Sequence, residues 1–251
     1  MTARLQGRTA LVTGSTDGVG VGIARALAHE GAFVVVSGRN AARGEKVVAE
    51  IAERGGAAAF VGADLAGGLA AARALADAAQ AAAGGPIDIL VNNAAMLIAP
   101  GPTAEIGEEL IDGALAVNVK SVMLLTGVIA PGMAARGNGA IVNVGSINGL
   151  VGMGGSALYS ATKAAIHSLT KSWAAEYGPS GVRVNTVAPG PTLTERNAAF
   201  ADRIAPIVGR APSRRMGTTG EVGRVVAFLA SDDASHVHGA TLSVDGGLSA
   251  V

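Results

Sequence analysis

The sequence predicts an α/β protein built on a parallel sheet with helices packed on both faces. Short β-branched runs alternate with alanine-rich helical stretches along the 251 residues, the order expected of repeated strand–helix–strand crossovers. The runs are almost continuously apolar, as in strands covered on both sides. Ala, Val and Gly dominate and aromatics reach only 3%, so the layers must pack through small side chains.

The first strand is 9–13 (TALVT), followed by a helix over about 19–30. Strand 32–37 (AFVVVS) leads into helix 41–54, and strand 58–62 (AAFVG) into helix 68–83. This third helix is of low complexity, yet its leucines and charges fit an amphipathic pattern. Strand 87–92 (IDILVN) precedes a long helix over 105–136, and strand 140–145 (AIVNVG) precedes helix 157–177. Strand 182–188 (VRVNTVA) is followed by 189–218, which holds four prolines and breaks the rhythm. Long segments of this kind often cover sites. The sequence predicts a lid over about 191–214, with one short helix (AAFADRIAPIVG) between hinges. Helix 220–230 and strand 241–244 (TLSV) close the pattern. Crossovers between parallel strands are right-handed. No linker or shift of composition divides the chain, so one domain is expected over 1–251.

Composition removes several function classes. The formal net charge is +0, which gives no electrostatic case for nucleic acid or an anionic membrane. The absence of cysteine removes disulfides and thiolate metal sites. The opening MTARLQGRTALVTG lacks the apolar stretch of a signal peptide, and no segment has twenty uninterrupted apolar residues. A cytoplasmic protein without a membrane span is therefore expected. His236 and His238 have no companion carboxylate or cysteine, so they read as turn residues and no metal is expected.

The first strand ends in TGSTDGVG, 13–20, and a helix follows at once. Gly14, Gly18 and Gly20 permit a tight turn and close approach of backbone to ligand. The helix start then offers free N–H groups and a positive dipole end to a phosphate. In dinucleotide-binding folds an acidic residue about 20 positions beyond the glycines usually holds the ribose. Here Ser37 and Gly38 are followed by Arg39, and a guanidinium suits the 2′-phosphate of NADP rather than the bare ribose of NAD. Asp17 in the turn pulls the other way. NADP is the expected cofactor, with NAD as the alternative.

Further motifs stand at the strand ends. They are GADLA (62–66), NNAA (92–95), AVNVKS (116–121), VNVGSING (142–149), YSATK (159–163), VAPGPTLT (187–194) and ASHVHGATLSVDGG (234–247). Together, and in this order over about 5–248, they resemble the short-chain dehydrogenase/reductase family. The resemblance implies a doubly wound, Rossmann-type domain with seven parallel strands in the order 3-2-1-4-5-6-7. It places Asp64, with Leu65 beside it, against the adenine. Ser15, Thr16 and Val19 complete the phosphate turn, and Asn92 and Ala94 line the cofactor cleft. Pro189, Gly190 and Thr192 stand at the nicotinamide, where Thr192 would bond the carboxamide. Asn118, Ser146, Tyr159 and Lys163 become the catalytic set, the last two also touching the cofactor. Ala95 replaces the family's glycine, so a backbone angle open only to glycine is unavailable there.

The chemistry of these residues fits that reading. Tyr159 and Lys163 lie four apart on a predicted helix and share a face. A free phenol has a pKa of about 10, too high for an efficient base near neutrality. Lys163, with an oxidised nicotinamide nearby, is expected to lower it. Tyr159 could then give a proton to a carbonyl or take one from an alcohol, while Ser146 steadies charge on the same oxygen. Lys163 could also bond the nicotinamide ribose, and Asn118 is implied by the resemblance to hold a water linking Lys163 to solvent. His167, two turns past Tyr159, reads as a core or interface residue, and Trp173 and Met133 as packing or subunit contacts. Met96, Leu97, Leu150, Val151 and Met153 could line an apolar substrate pocket.

The expected activity is hydride transfer between NADP(H) and a secondary alcohol or ketone. A 3-oxoacyl-carrier-protein reductase shares the overall pattern. Acyl carriers are acidic, however, and the helix after Tyr159 (KSWAAEYG) offers no arginine to dock one. A non-catalytic nucleotide-binding protein is opposed by the intact Asn, Ser, Tyr and Lys. The resemblance also implies a homotetramer through 105–136 and 157–177, whose small residues allow close helix contact.

Overall fold

A computed structural model of the protein describes residues 3–198 and 201–251. In chain order the elements begin β1 (Thr9–Thr13), α1 (Gly18–His29), β2 (Phe33–Gly38), α2 (Ala41–Ala52), β3 (Ala57–Gly62) and α3 (Gly68–Ala83). They continue with β4 (Ile89–Asn92), α4 (Glu108–Leu115), α5 (Ser121–Ala135), β5 (Gly139–Val144), α6 (Ala157–Tyr177) and β6 (Val182–Pro189). The last are β7 (Thr192–Leu193), α7 (Glu195–Ala198), α8 (Ala201–Val208), β8 (Gly217–Thr218), α9 (Thr219–Ala230) and β9 (Thr241–Val244).

Seven strands form one sheet in the order β3-β2-β1-β4-β5-β6-β9, every neighbouring pair parallel. This is the expected order, with β9 as the seventh strand. The chain winds outward from β1 to β3, then crosses back to β4. The order therefore reverses between β1 and β4, and a crevice opens beyond their carboxyl ends.

Successive strand residues point to opposite faces and build two cores. Val12, Val34, Val36 and Val91 pack on one face with Ile23 and Leu27 of α1 and Val222 and Val226 of α9. Leu11, Val35, Leu90 and Ile141 pack on the other with Leu75 of α3, Leu125 of α5 and Ile166 of α6. Met133 and Trp173 belong to this second core, so packing is their role in the chain.

Two regions differ from the sequence pattern. The helix expected over 105–136 is a 3-10 turn at Thr103–Glu105, then α4, a π turn at Ala116–Lys120, and α5. The wide turn coincides with Asn118, whose amide side chain is bonded to the backbone of Met96 rather than to its own helix. The segment Glu108–Ala135 contains an 18-residue stretch with a mean hydropathy of 1.7, so by length and composition alone it could cross a membrane. In this fold Val122, Leu125, Ile129 and Met133 of that segment lie in the second core. In 189–218, α7 and α8 stand where one short helix was expected, and β7 and β8 pair in parallel as a separate small sheet. Two-residue strands carry no periodicity to read. Phe200 and Ala199 of the expected helix lie outside the described residues.

One side chain ties the sheet to the end of α9. Arg183 on β6 donates to the carbonyls of Leu229 (2.5 Å), Ala234 (3.2 Å), Ala230 (3.1 Å) and Ser231 (2.9 Å). These include carbonyls that a helix end leaves without intrahelical partners. Arg183→Met should destabilise the fold by about 3 kcal/mol, because buried acceptors lose their donors. Arg183→Lys should recover only part of that, since an ammonium cannot span the set. Urea denaturation measures both, and a methionine variant as stable as the parent would contradict this role.

Candidate active site

The glycine turn is locked to the end of β4. A Cβ on Gly14 would lie 2.8 Å from Ala94 Cα, and its φ is +63°, so only glycine fits there. Thr13 Oγ1 accepts from the N–H groups of Asn93 (3.0 Å) and Ala94 (3.1 Å). The Asn93 amide donates to the carbonyls of Thr13 (2.8 Å) and Gly14 (3.0 Å). Ser15 is buried, donating to Val12 O at 2.7 Å and accepting from Ser37 N at 3.0 Å. It shapes the turn and does not line the cleft. Thr16, Asp17, Gly18, Val19 and Gly20 do. No side chain caps the start of α1 and its first turn holds no acidic residue, so its N–H groups suit an anion.

The cleft encloses about 930 Å³ and runs from this turn to Tyr159. Away from Tyr159 the cleft is lined by Ser37, Gly38, Arg39, Arg43, Asp64 and Leu65. Asp64 Oδ1 accepts from Ala66 N–H at 3.1 Å, which holds that turn. Arg43, which the sequence reading passed over, pairs with Asp17 at 3.2 Å. Its backbone N–H is also bound by the Asn40 side chain that caps α2, at 2.9 Å. The signal was available in the sequence: Arg43 stands four residues past Arg39 at a helix start. Two guanidiniums therefore face this end with the carboxylates of Asp17 and Asp64, and the opposition expected from Asp17 is offset by its pairing with Arg43.

Asn92 is corrected. Its side chain turns into the core, donating to Asn143 Oδ1 (2.8 Å) and Thr126 Oγ1 (3.2 Å). Asn93 and Ala94 line the cleft instead. Ala95 also lines it, and its φ is not positive, so the missing glycine leaves no strained backbone. Pro189, Gly190 and Thr192 lie at the catalytic end, with Thr192 Oγ1 donating to Gly190 O at 3.0 Å. Met96 and Leu97 line the cleft, whereas Leu150, Val151 and Met153 do not.

At that end, α6 brings Tyr159 and Lys163 to the turn leaving β5. Lys163 is 4% exposed and its Nζ donates to Val144 O at 2.8 Å. Burial lowers its pKa to about 8. The ammonium nitrogen stands 5.7 Å from the centre of the Tyr159 ring. Burial raises the phenol's pKa above its ordinary value, and a hydrogen bond from the Ser146 hydroxyl works against this. The lowering expected from Lys163 is thus not present in the protein alone: desolvation sets the direction, and only the Ser146 bond opposes it. Ser146 Oγ also accepts from Asn148 N–H at 3.2 Å. Asn118 is 2% exposed and lies behind the cleft wall. It accepts from Met96 N–H (2.6 Å) and donates to Met96 O (3.0 Å) and Thr162 Oγ1 (3.3 Å), linking the loop after β4 to α6.

His167 lies in the core against the Ser146 turn, where Nε2 accepts from Ser146 N–H at a long 3.5 Å. Burial first, then the charges of Lys163 and Lys171, lower its pKa and keep it neutral. Among the described residues no group of three His, Asp or Glu is placed to hold a metal, and His236 and His238 are exposed.

A tyrosine–lysine pair opening into a cleft at the switch point of a doubly wound sheet is the arrangement of an oxidoreductase. Comparisons with known proteins agree. The family model described as enoyl-(acyl carrier protein) reductase matches residues 14–249. A cis-4-hydroxycyclohexanecarboxylate dehydrogenase of Sinomonas cyclohexanicum is 41% identical over 245 residues, 97% of each chain. Dehydrogenase/reductase SDR family member 4 of Oryctolagus cuniculus is 37% identical, over 97% of this chain and 94% of its own. Among solved structures, a gluconate 5-dehydrogenase from Burkholderia cenocepacia in complex with NADP and tartrate superposes with a TM-score of 0.92. It is 36% identical and covers 100% of this chain and 98% of its own. A 3-oxoacyl (acyl-carrier-protein) reductase from Agrobacterium tumefaciens with NADP bound gives 0.91 at 35% identity, covering 98% and 95%. The chain belongs to the short-chain dehydrogenase/reductase family.

The buried ammonium has a measurable consequence. Lys163 titrates at its ordinary value of 10.5 in the unfolded chain and at about 8 in the folded one. Between these values the unfolded state keeps a proton that the folded state has lost, so stability rises with pH. From pH 8 to 10.5 the parent should gain about 3 kcal/mol relative to Lys163→Met. The raised Tyr159 is common to both proteins and cancels in the difference. Urea denaturation across this window checks the slope, and a flat difference would contradict it.

Proposed function

We propose that this oxidoreductase transfers hydride between NADP(H) and a small secondary alcohol or ketone, with Tyr159 as acid and base. The observation that carries the proposal is one continuous cleft with the Arg39–Arg43 pair at one end and Ser146, Tyr159 and Lys163 at the other. The free start of α1, the close-packed Gly14 and the two guanidiniums suit a phosphorylated dinucleotide, with NAD as the alternative. When bound, its nicotinamide supplies or accepts the hydride.

The chain's own residues handle the proton. Tyr159 protonates the carbonyl oxygen in reduction and takes the hydroxyl proton in oxidation. Its high proton affinity in the protein alone keeps it protonated at neutral pH, ready to donate. Ser146 donates to the same substrate oxygen and steadies its developing charge. Lys163 favours the phenolate left behind, and a pKa of about 8 lets it be charged at neutral pH despite burial. Asn118 holds the loop after β4 in place and joins it to α6. Residues 191–214 act as a lid over the catalytic end, since Pro191, Thr192 and Thr194 already form part of the cleft wall.

Assembly is part of this reading. Ile111, Leu115 and Met123 on α4 and α5 are 36%, 43% and 48% exposed, a row of large apolar side chains suited to contact between copies. A homotetramer in the cytoplasm is the arrangement proposed. A 3-oxoacyl-carrier-protein substrate is the second reading. The 3-oxoacyl reductase from A. tumefaciens favours it, and the family model's description shares with it only the acyl carrier; turnover of a 3-oxoacyl carrier thioester in preference to free ketones would establish it.

Three outcomes are expected. Tyr159→Phe should retain the fold and NADPH binding while kcat falls by about 10²–10⁴-fold. Near-parent turnover would end the proposed mechanism. The parent should prefer NADPH to NADH in kcat/KM, and Arg39→Ala and Arg43→Ala should each reduce that preference by about tenfold or more. An unchanged preference in both would remove the 2′-phosphate assignment. Light scattering at micromolar concentration should give four times the 24.5 kDa mass of the chain, and Leu115→Glu should lower it. A single-chain mass for the parent would contradict the tetramer.

A further inference from the structure

His167 is a buried titratable group that the hydride-transfer mechanism does not use. It stands on α6 one turn beyond Lys163, and its ring lies against both ends of the turn that carries Ser146. A Cβ on Gly145 would collide with His167 Nε2, and one on Gly149 would lie 2.9 Å from its Cε1. Neither glycine has a positive φ, so space rather than backbone conformation calls for glycine at both. The same Cβ atoms would also crowd Thr186 Cγ2 of β6 (2.8 Å) and the α6 backbone at Lys163 C (2.7 Å). Gly149 N–H donates to Ser146 O at 3.0 Å and closes the turn, while Gly145 N–H donates to Val187 O of β6 at 2.8 Å. The next N–H, that of Ser146, has left the sheet and meets His167 Nε2 at 3.5 Å.

We infer that His167 is a positioning residue for the reaction: its ring braces the 145–149 turn, and its Nε2 holds the Ser146 backbone so that the serine hydroxyl meets the substrate oxygen. The inference rests on the role of Ser146 proposed above. A serine has one rotatable bond before its oxygen, so the backbone largely decides where the hydroxyl lies. For Nε2 to accept, the ring must be neutral with its proton on Nδ1. Burial first, then the charges of Lys163 and Lys171, keep it neutral, with the Gly149 backbone working the other way. The segments packed on the ring contribute Gly145, Gly149 and Thr186, none of them charged. Nδ1 itself is buried without a hydrogen-bond partner among the described residues. An unmatched buried donor asks for a reason, and aiming Nε2 at Ser146 supplies one. The helix that carries Tyr159 and Lys163 thus also sets the serine they work with.

Reduction of cyclohexanone with NADPH tests this in four proteins: the parent, His167→Leu, Ser146→Ala and the double variant. Leucine has a similar volume but accepts no hydrogen bond. His167→Leu should lower kcat by about 10- to 100-fold, the scale of a small misplacement at a reacting centre, with the KM for NADPH unchanged. In the Ser146→Ala background the same substitution should cost almost nothing, because the two residues act as one unit. His167→Gln, whose amide oxygen can stand where Nε2 does, should recover most of the loss. A leucine variant as active as the parent, or an equal loss with and without the Ser146 hydroxyl, would overturn the inference while leaving hydride transfer intact. A second measurement needs no substitution at His167. Spectra of ¹⁵N-histidine in the protein with NADP⁺ should show His167 neutral with its proton on Nδ1. His29, His236 and His238 are exposed, so replacing each with asparagine assigns the signals. A proton on Nε2 would overturn the inference, and this spectrum decides alone if the leucine variant does not fold. Failure of the parent to reduce the ketone, or full activity in Ser146→Ala, would count against the activity or the serine's role, and the spectrum would still decide whether His167 can hold the turn.

Discussion

The site depends on the burial of one ammonium group. Lys163 has lost nearly all its contact with water, and its Nζ is held by the carbonyl that ends β5. Taking a charge out of water is unfavourable, as its lowered pKa records. To place that nitrogen, α6 must cross the end of β5 at a fixed height and rotation. The same rotation sets Tyr159 one turn earlier on the same face, beside Ser146 on the turn leaving β5. One unfavourable burial thus fixes three reactive side chains relative to each other.

A column of buried polar side chains keeps α6 from sliding. Asn143 on β5 donates to Thr170 on α6 at 2.8 Å, and Thr170 bonds Thr186 on β6 at 2.7 Å. Asn92 extends the column to β4 and α5. Any shift of register would leave several buried donors unpaired, which costs more than the bonds themselves contribute. The opposite end of the cleft is held differently. Arg39, Arg43 and Asp17 work in water, where their interactions are weaker and adjustable. The catalytic end is therefore rigid by burial, and the adenosine end selects by charge.

This division explains what the sequence discloses. Strand runs such as TALVT and AFVVVS are rich in small and β-branched residues because both faces are covered, so their bounds are nearly those of β1 and β2. Gly14 and the Tyr159–Lys163 spacing are legible because steric closeness and helical period leave few residue choices. The orientation of Asn92 is not legible, because two adjacent asparagines at a strand end point to opposite sides and nothing local says which faces the cleft. The break near Asn118 is hidden for a related reason: its cause is Met96, a residue 22 positions away. The pairing of β7 with β8 arises from segments that meet only in the fold.

The central claim is that Lys163 tunes Tyr159 only when the cleft is filled, since burial alone drives the phenol the other way. The chain has two tyrosines, Tyr159 and Tyr177. Tyrosine labelled with ¹³C at Cζ therefore gives two signals, assigned by Tyr177→Phe. The decisive measurement is their titration with and without NADP⁺, in the parent and in Lys163→Met. The account predicts that Tyr159 titrates above its ordinary value in the free parent and below it with NADP⁺ bound, and that the fall is lost in Lys163→Met. An unmoved Tyr159 signal on adding NADP⁺, or an equal fall in the methionine variant, would contradict it.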